Sequence, residues 1–244
     1  MPRSLYDRPL IYRMMHHERS ADLPFYLRST EGRARVLEYG VGMGRVALPM
    51  VRRGQQVTGV DLSASMIEHA RAALREEPED VQARLRLVHA DGRTLSLHAR
   101  FDAVTCPFNG IAHHHDLRQL EAFLARVREH MRPEGLFVLD VLVPDPALLS
   151  GTTTEVPWFR DPADGTVCRA TEHIEYEPLS QVLTVTMTIR RMEGEDEREP
   201  EALVLQLRQL FPQEARLLLL HHGFEVVRQQ TELGDVVGYV CRLA

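Results

Sequence analysis

The residues best suited to chemistry fall where apolar runs stop. Residues 36–44 read V-L-E-Y-G-V-G-M-G, so the carboxylate of Glu38 is followed by Gly40, Gly42 and Gly44 on alternate positions. Glycine reaches backbone conformations closed to other residues and lets a ligand approach the main chain. Asp61, Asp91-Gly92 and Pro107-Phe108-Asn109 end the next three apolar runs. Beyond them stand His113, His114 and His115. An ordinary imidazole pKa of about 6.5 suits a general base. Three successive side chains cannot all point one way, so His114, then His113, are the candidate bases, with surface or packing roles as the alternative. Adjacent histidines chelate poorly and Asp116 is needed as a helix cap, so no metal site is expected.

Such positions need a scaffold. Strand-like runs at 36–38, 56–60, 85–89, 101–106 and 136–143 alternate with helix-like runs at 45–53, 63–76 and 116–131. This alternation predicts a parallel sheet with helices on both faces, whose ligands bind at the carboxyl ends of the strands. Pro49 predicts a kink or an irregular first turn in the first of these helices. Leu62 and Met66 lie just after Asp61, and Met66 is either a core residue or a ligand contact. Asp140, near the end of the fifth strand, either faces the cleft or pairs locally.

After Pro144 the pattern changes. Runs at 166–174, 182–192 and 202–210 alternate apolar and polar residues, as half-exposed antiparallel strands do, with a charged loop at 193–201. A helix at 212–222 and a hairpin of 224–229 with 236–243 would complete the sheet. The expected organisation is an N-terminal helical cap at 1–35 and a core at 36–146 and 211–244. A β-rich insertion at 147–210 would be a substrate lid or a dimer contact. Tyr12, Asn109, Trp158 and Arg208 are the candidates for contacting a second ligand, since they pair apolar surface with a polar group or a charge.

The chain has 244 residues, 44% of them hydrophobic and 26% charged, enough for a proper core. Its net charge of −6 gives no general attraction to nucleic acid or to an anionic membrane. No apolar run reaches the roughly 18 to 20 residues that span a bilayer. Three scattered cysteines without metal spacing point to a reducing cytoplasm.

The ligand can be narrowed further. A dinucleotide loop, G-x-G-x-x-G, needs glycine where this chain has Arg45, and a diphosphate would meet the Glu38 carboxylate. Glu38 suits a cation, Asp61 a pair of ribose hydroxyls and Asp91 an adenine amino group. A ligand with an ammonium, a ribose and an adenine but no phosphate is S-adenosylmethionine. On E-Y-G-V-G-M-G (38–44), V-T-G-V-D-L-S (57–63), H-A-D-G-R (89–93), F-D-A-V-T-C-P-F-N (101–109) and R-P-E-G-L-F-V-L-D (132–140), the chain resembles the class I S-adenosylmethionine-dependent methyltransferases, small-molecule branch.

The resemblance implies a Rossmann-like α/β fold, a seven-stranded mostly parallel sheet in the order 3-2-1-4-5-7-6 with the last strand antiparallel. It places Glu38, Gly40, Gly42 and Gly44 around the methionine part, Asp61 at the ribose, and Leu62 and Met66 on one adenine face. Asp91 and Gly92 would hold the adenine edge, with Pro107 to Asn109 beside the transferring methyl. Tyr39 departs from the smaller residue common in relatives. The implied activity is N- or O-methylation of a small molecule by in-line displacement. A cofactor-binding sensor without transferase activity is the alternative, and an RNA or protein methyltransferase a weaker one. The acceptor's identity and the oligomeric state, including a possible homodimer, stay open.

Overall fold

The computed structural model describes residues 3–16, 20–193 and 196–244. In chain order, β1 (Arg3–Ser4) and α1 (Pro9–Met15) precede α2 (Leu23–Ser29), β2 (Arg35–Tyr39), α3 (Ala47–Arg52), β3 (Gln56–Asp61), α4 (Ala64–Arg75), α5 (Glu79–Gln82) and β4 (Leu85–His89). There follow β5 (Phe101–Cys106), α6 (Leu117–His130), β6 (Met131–Leu142), β7 (Thr152–Arg160), β8 (Val167–Glu177) and β9 (Val182–Glu193). The chain ends with β10 (Asp196–Glu197), β11 (Glu201–Arg208), α7 (Pro212–His221), β12 (Phe224–Gln230) and β13 (Val236–Leu243). Two compact units result, one from the described residues of 1–19 with 144–209, the other from 20–143 with 210–244.

The larger unit is built on a seven-stranded sheet ordered β12-β13-β6-β5-β2-β3-β4. The strands from β4 to β6 run parallel, and β13 is antiparallel to both its neighbours. This is the predicted order and polarity. Successive residues of a strand point to opposite faces. Val36 accordingly packs in one cluster with Phe25, Tyr26 and Met50, while Leu37 packs in another with Leu120, Phe123, Leu124 and Leu219. A strand buried on both faces reads as a continuous apolar run. A polar side chain at its end must therefore take one face or the other.

The smaller unit is an antiparallel sheet ordered β1-β11-β9-β8-β7, with β10 paired to β9 and β1 joined parallel to β11. Leu5 and Ile11 pack with Cys168, Ala170, Met187, Ile189 and Leu203. Asp161, 1% exposed, receives Arg8 Nη2 at 2.5 Å and Arg191 Nη1 at 2.6 Å. Breaking one partner of a buried pair leaves an uncompensated charge, so this cluster ties the N-terminal segment to the strands.

Several elements differ from expectation. The first 35 residues are not one cap: residues 3–16 belong to the strand-rich unit and 20–35 to the sheet core. Helix α3 starts only at Ala47, which puts Pro49 in its first turn, where a missing N–H costs little. Strand β6 begins at Met131, with pairing to β5 jumping from Met131 to Leu136 so that 132–135 bulge out. Gly194 and Glu195 of the predicted charged loop lie outside the described residues.

Candidate functional site

The carboxyl edge of the parallel strands gathers the acids and the glycines. Glu38 shares the face of Val36 and is 1% exposed. One oxygen is engaged by the Ala47 N–H, while Oε2 has no hydrogen-bonding partner among the described residues. Burial pushes its pKa up to about 8, against the pull of Arg45 and the Ala47 N–H. A buried acceptor left unpaired costs about 1–3 kcal/mol, more when charged, so Glu38 is poised for a donor or a cation.

Gly40, Gly42 and Gly44 all have positive φ, +69°, +54° and +87°. A Cβ at Gly40 or Gly42 would meet nothing within 4 Å, so conformation rather than space requires glycine there. The loop is pinned to β3, whose Val60 carbonyl accepts from the N–H groups of Gly40 (2.8 Å) and Val41 (3.0 Å). Asp61 accepts from the Gly42 N–H (Oδ2, 2.8 Å) and the Ser63 N–H (Oδ1, 2.8 Å). The Leu62 N–H bonds to it as well, so three of its roughly four lone-pair sites are used and one remains. Burial raises its pKa despite these bonds. Leu62 stands 64% exposed just beyond, whereas Met66 is 1% exposed and buried like a core residue.

Tyr39 shares the face of Leu37 and turns away from Glu38. Its ring lies 5.1 Å from that of Phe123, and its hydroxyl is 2.8 Å from His130 Nδ1. A Cβ on Gly92 would sit 2.9 Å from the Tyr39 ring, so the unusual tyrosine and Gly92 fit one another. Asp91 is not open as expected: Arg93 contacts both its oxygens, with Nη2 to Oδ2 at 2.6 Å, and donates its own N–H to Oδ1 at 2.9 Å. The guanidinium holds the Asp91 pKa below its usual value.

The turn after β5, expected beside the transferring methyl, is itself held in place by β6. Pro107 and Asn109 are buried. Phe108 and Asn109 take φ of +62° and +55°, and their N–H groups donate to Asp140 Oδ2 (2.7 Å) and Oδ1 (2.6 Å). Asp140 pairs locally, and the Tyr26 hydroxyl adds a third donor at 2.5 Å. Asp22, at the start of α2, accepts both Nη groups of Arg45 at 2.6 Å, and the Arg45 guanidinium sits 5.4 Å from the centre of the Phe108 ring. Asp22 and Tyr26 were not singled out, and Arg45 only as the residue standing where a dinucleotide loop needs glycine, since each finds its partner elsewhere along the chain.

His113 ends a 3-10 turn, Gly110–His113, and His114 caps it in extended conformation. Burial pushes His113 down to about 4 and His114 to about 3, each also lowered by a neighbouring imidazole. His114 stacks on Phe123 at 4.4 Å. Both are neutral at pH 7 and weaker proton acceptors than an ordinary histidine, contrary to the pKa expected for them. Tyr12, Trp158 and Arg208 lie in the other unit. Tyr12 packs 5.2 Å from Tyr6, Trp158 is 62% exposed beneath the Arg169 guanidinium at 5.5 Å, and Arg208 donates to Gln181 Oε1 at 3.2 Å.

Residues 36–135 match the model of a methyltransferase domain. A dTDP-3-amino-3,6-dideoxy-alpha-D-glucopyranose N,N-dimethyltransferase of Streptomyces fradiae is 34% identical over 126 residues, 51% of this chain and 46% of that protein. The chain thus matches less than half the length of that curated relative. The CcbJ methyltransferase of Streptomyces caelestis superposes with a TM-score of 0.75 at 25% identity, over 92% of this chain and 88% of that one. CalS10, an amino pentose methyltransferase from Micromonospora echinaspora solved with S-adenosylmethionine bound, gives 0.71 at 21% identity over 94% and 91%. At that identity the likeness speaks for the fold. Motifs, strand order and these matches together show a methyltransferase domain over residues 36–135, set in a Rossmann-like sheet shared with methyltransferases of known structure.

Proposed function

We propose that the chain transfers a methyl group from S-adenosylmethionine to the nitrogen of a small amine, an amino sugar being the first candidate. The observation that carries the cofactor reading is the buried Glu38 oxygen without a described partner, beside a loop of left-handed glycines. It fits an ammonium. Asp61 fits a ribose hydroxyl with its remaining lone pair, and the exposed Leu62 offers apolar surface to an aromatic ring. Gly92 belongs with the packing of Tyr39, and Asp91 reaches a ligand only by sharing with Arg93.

When bound, S-adenosylmethionine supplies an electrophilic methyl group on a sulfonium. The chain's own task is then alignment and exclusion of water. A hydroxyl acceptor needs a strong base, and imidazoles held near 3 and 4 are poor ones. An amine has a neutral fraction near its own pKa and needs no such base. Among the relatives, the Streptomyces fradiae protein is an N,N-dimethyltransferase of an amino sugar, whereas others are ubiquinone biosynthesis O-methyltransferases, so the choice of an amine rests on the two histidines. Within the sheet unit, Asn109 is assigned to acceptor selectivity.

Among the described residues no helix is long and apolar enough to cross a membrane. The test is direct. The protein should bind S-adenosylhomocysteine in calorimetry and methylate a nucleotide-linked amino sugar, and leave the hydroxyl counterpart untouched. Undiminished affinity in Asp61→Ala would overturn the cofactor assignment, and turnover of the hydroxyl sugar alone would overturn the amine.

A further inference from the structure

Two successive non-glycine residues in the left-handed region are uncommon, and Phe108-Asn109 is such a pair. Each costs on the order of 1–2 kcal/mol relative to right-handed backbone, less for asparagine. Such a turn persists only when its surroundings over-determine it. Here the surroundings are named. The Asp140 carboxylate, 1% exposed, takes the two N–H groups of the turn and the Tyr26 hydroxyl. Asn109 Oδ1 accepts from the Leu142 N–H at 3.2 Å, tying the turn to β6 a second time. The helix that supplies Tyr26 begins beside Asp22, which grips Arg45 at the end of the glycine loop, and Arg45 in turn lies against the Phe108 ring. A closed circuit of contacts joins the two loops through α2.

No peptide bond in the described chain is cis, and a trans peptide points its N–H and C=O in opposite directions. With the N–H groups of Phe108 and Asn109 directed at Asp140, the carbonyls of Pro107 and Phe108 are turned away from it. Carbonyl oxygens are the groups that hold the N–H of an amine. Rotation of the turn would swing both.

We propose that Asp140 is a positioning residue for methyl transfer: it holds 107–109 in the left-handed turn that sets the carbonyls of Pro107 and Phe108, with Tyr26 of α2 as its support. The proposal rests on the functional reading above. Asp140 touches neither cofactor nor acceptor in this role. Its loss should act on alignment, where a displacement of about 1 Å costs up to about 100-fold in rate.

The experiment compares wild type with Asp140→Asn and Tyr26→Phe. Amide hydrogen exchange of the ligand-free protein should show Phe108 and Asn109 protected in wild type and exposed in Asp140→Asn. The turnover number should fall roughly 10- to 100-fold in Asp140→Asn and roughly 3- to 10-fold in Tyr26→Phe, with the Kd for S-adenosylhomocysteine unchanged within about twofold. If Asp140→Asn fails to fold, Tyr26→Phe, which keeps ring and carboxylate, decides by the same readouts. Unchanged protection, an unchanged turnover number, or an equal loss of cofactor affinity would overturn the proposal. A wild-type protein that binds no S-adenosylhomocysteine would instead overturn the functional reading, and that is seen before any variant is made.

Discussion

The glycine loop after β2 and the turn after β5 both enter the left-handed region at the carboxyl edge of one sheet, with different residues. Gly40 and Gly42 do so without strain and with open space where a Cβ would be. Phe108 and Asn109 do so against their preference and are held there by a buried carboxylate. The first loop leaves its own acid, Glu38, with an oxygen unpaired; the second consumes its acid, Asp140, with three donors. Two buried carboxylates two strands apart thus have opposite assignments. The unsatisfied one is kept for a ligand and the satisfied one for the backbone.

The largest expected effect separates these assignments. Glu38→Gln keeps the shape and removes the charge, so cofactor affinity should fall about 30- to 100-fold, the scale of a hydrogen bond to a charged group. Asp140→Asn should leave that affinity alone. Calorimetry on both variants checks the contrast, and a loss of less than about threefold in Glu38→Gln would erase it.

The pH response comes next in size. A cation needs ionised Glu38, and the free protein holds that carboxyl up to about 8. Affinity for the cofactor should therefore weaken as pH falls, roughly fivefold from pH 8 to 7 and nearing tenfold per unit below that, with proton release on binding. The sign for stability is opposite. A carboxyl raised from 4.5 to about 8 keeps its proton in the folded state and loses it in the unfolded one, so the free protein should lose stability as pH rises through that window. Glu38→Gln should flatten both profiles, and a pH-independent Kd in wild type would show that Glu38 is not the partner.

How much of this was readable beforehand follows from where each partner lies. The order of the larger sheet was legible because buried parallel strands are continuous apolar runs, and the glycines were legible because their type is their function. Strand β7 was missed: Thr153, Thr154 and Glu155 are exposed, Pro157 interrupts it, and its pairing with β8 shifts between Val156 and Phe159, as suits an edge strand. Asp140 was visible as an acid in a buried strand, but its partner Tyr26 stands 114 residues away. The ordinary pKa assumed for His113 and His114 failed because burial sets it, and the H-H-H triplet carries no sign of burial. Tyr39 looked out of place beside the glycines until strand alternation turned its ring to the face of Phe123 and Gly92.

The smallest effect probes the glycine side of the comparison alone. Gly42→Ala adds a Cβ that meets nothing within 4 Å at a φ of +54°. With no clash, the cost is the left-handed backbone of alanine less the entropy that glycine loses on folding, a net of about 1 kcal/mol. For a chain of this size that corresponds to a Tm lower by about 2–4 °C, measurable by calorimetric unfolding. The Gly42 N–H bond to Asp61 should survive, since the substitution adds a side chain without removing the donor. The added methyl projects into the open space assigned to the cofactor, so cofactor affinity should fall as well, even where the backbone keeps its course. A Tm unchanged within 1 °C would mean that the loop relaxes out of the left-handed region, and that the glycine loop is as dependent on its partners as the turn after β5.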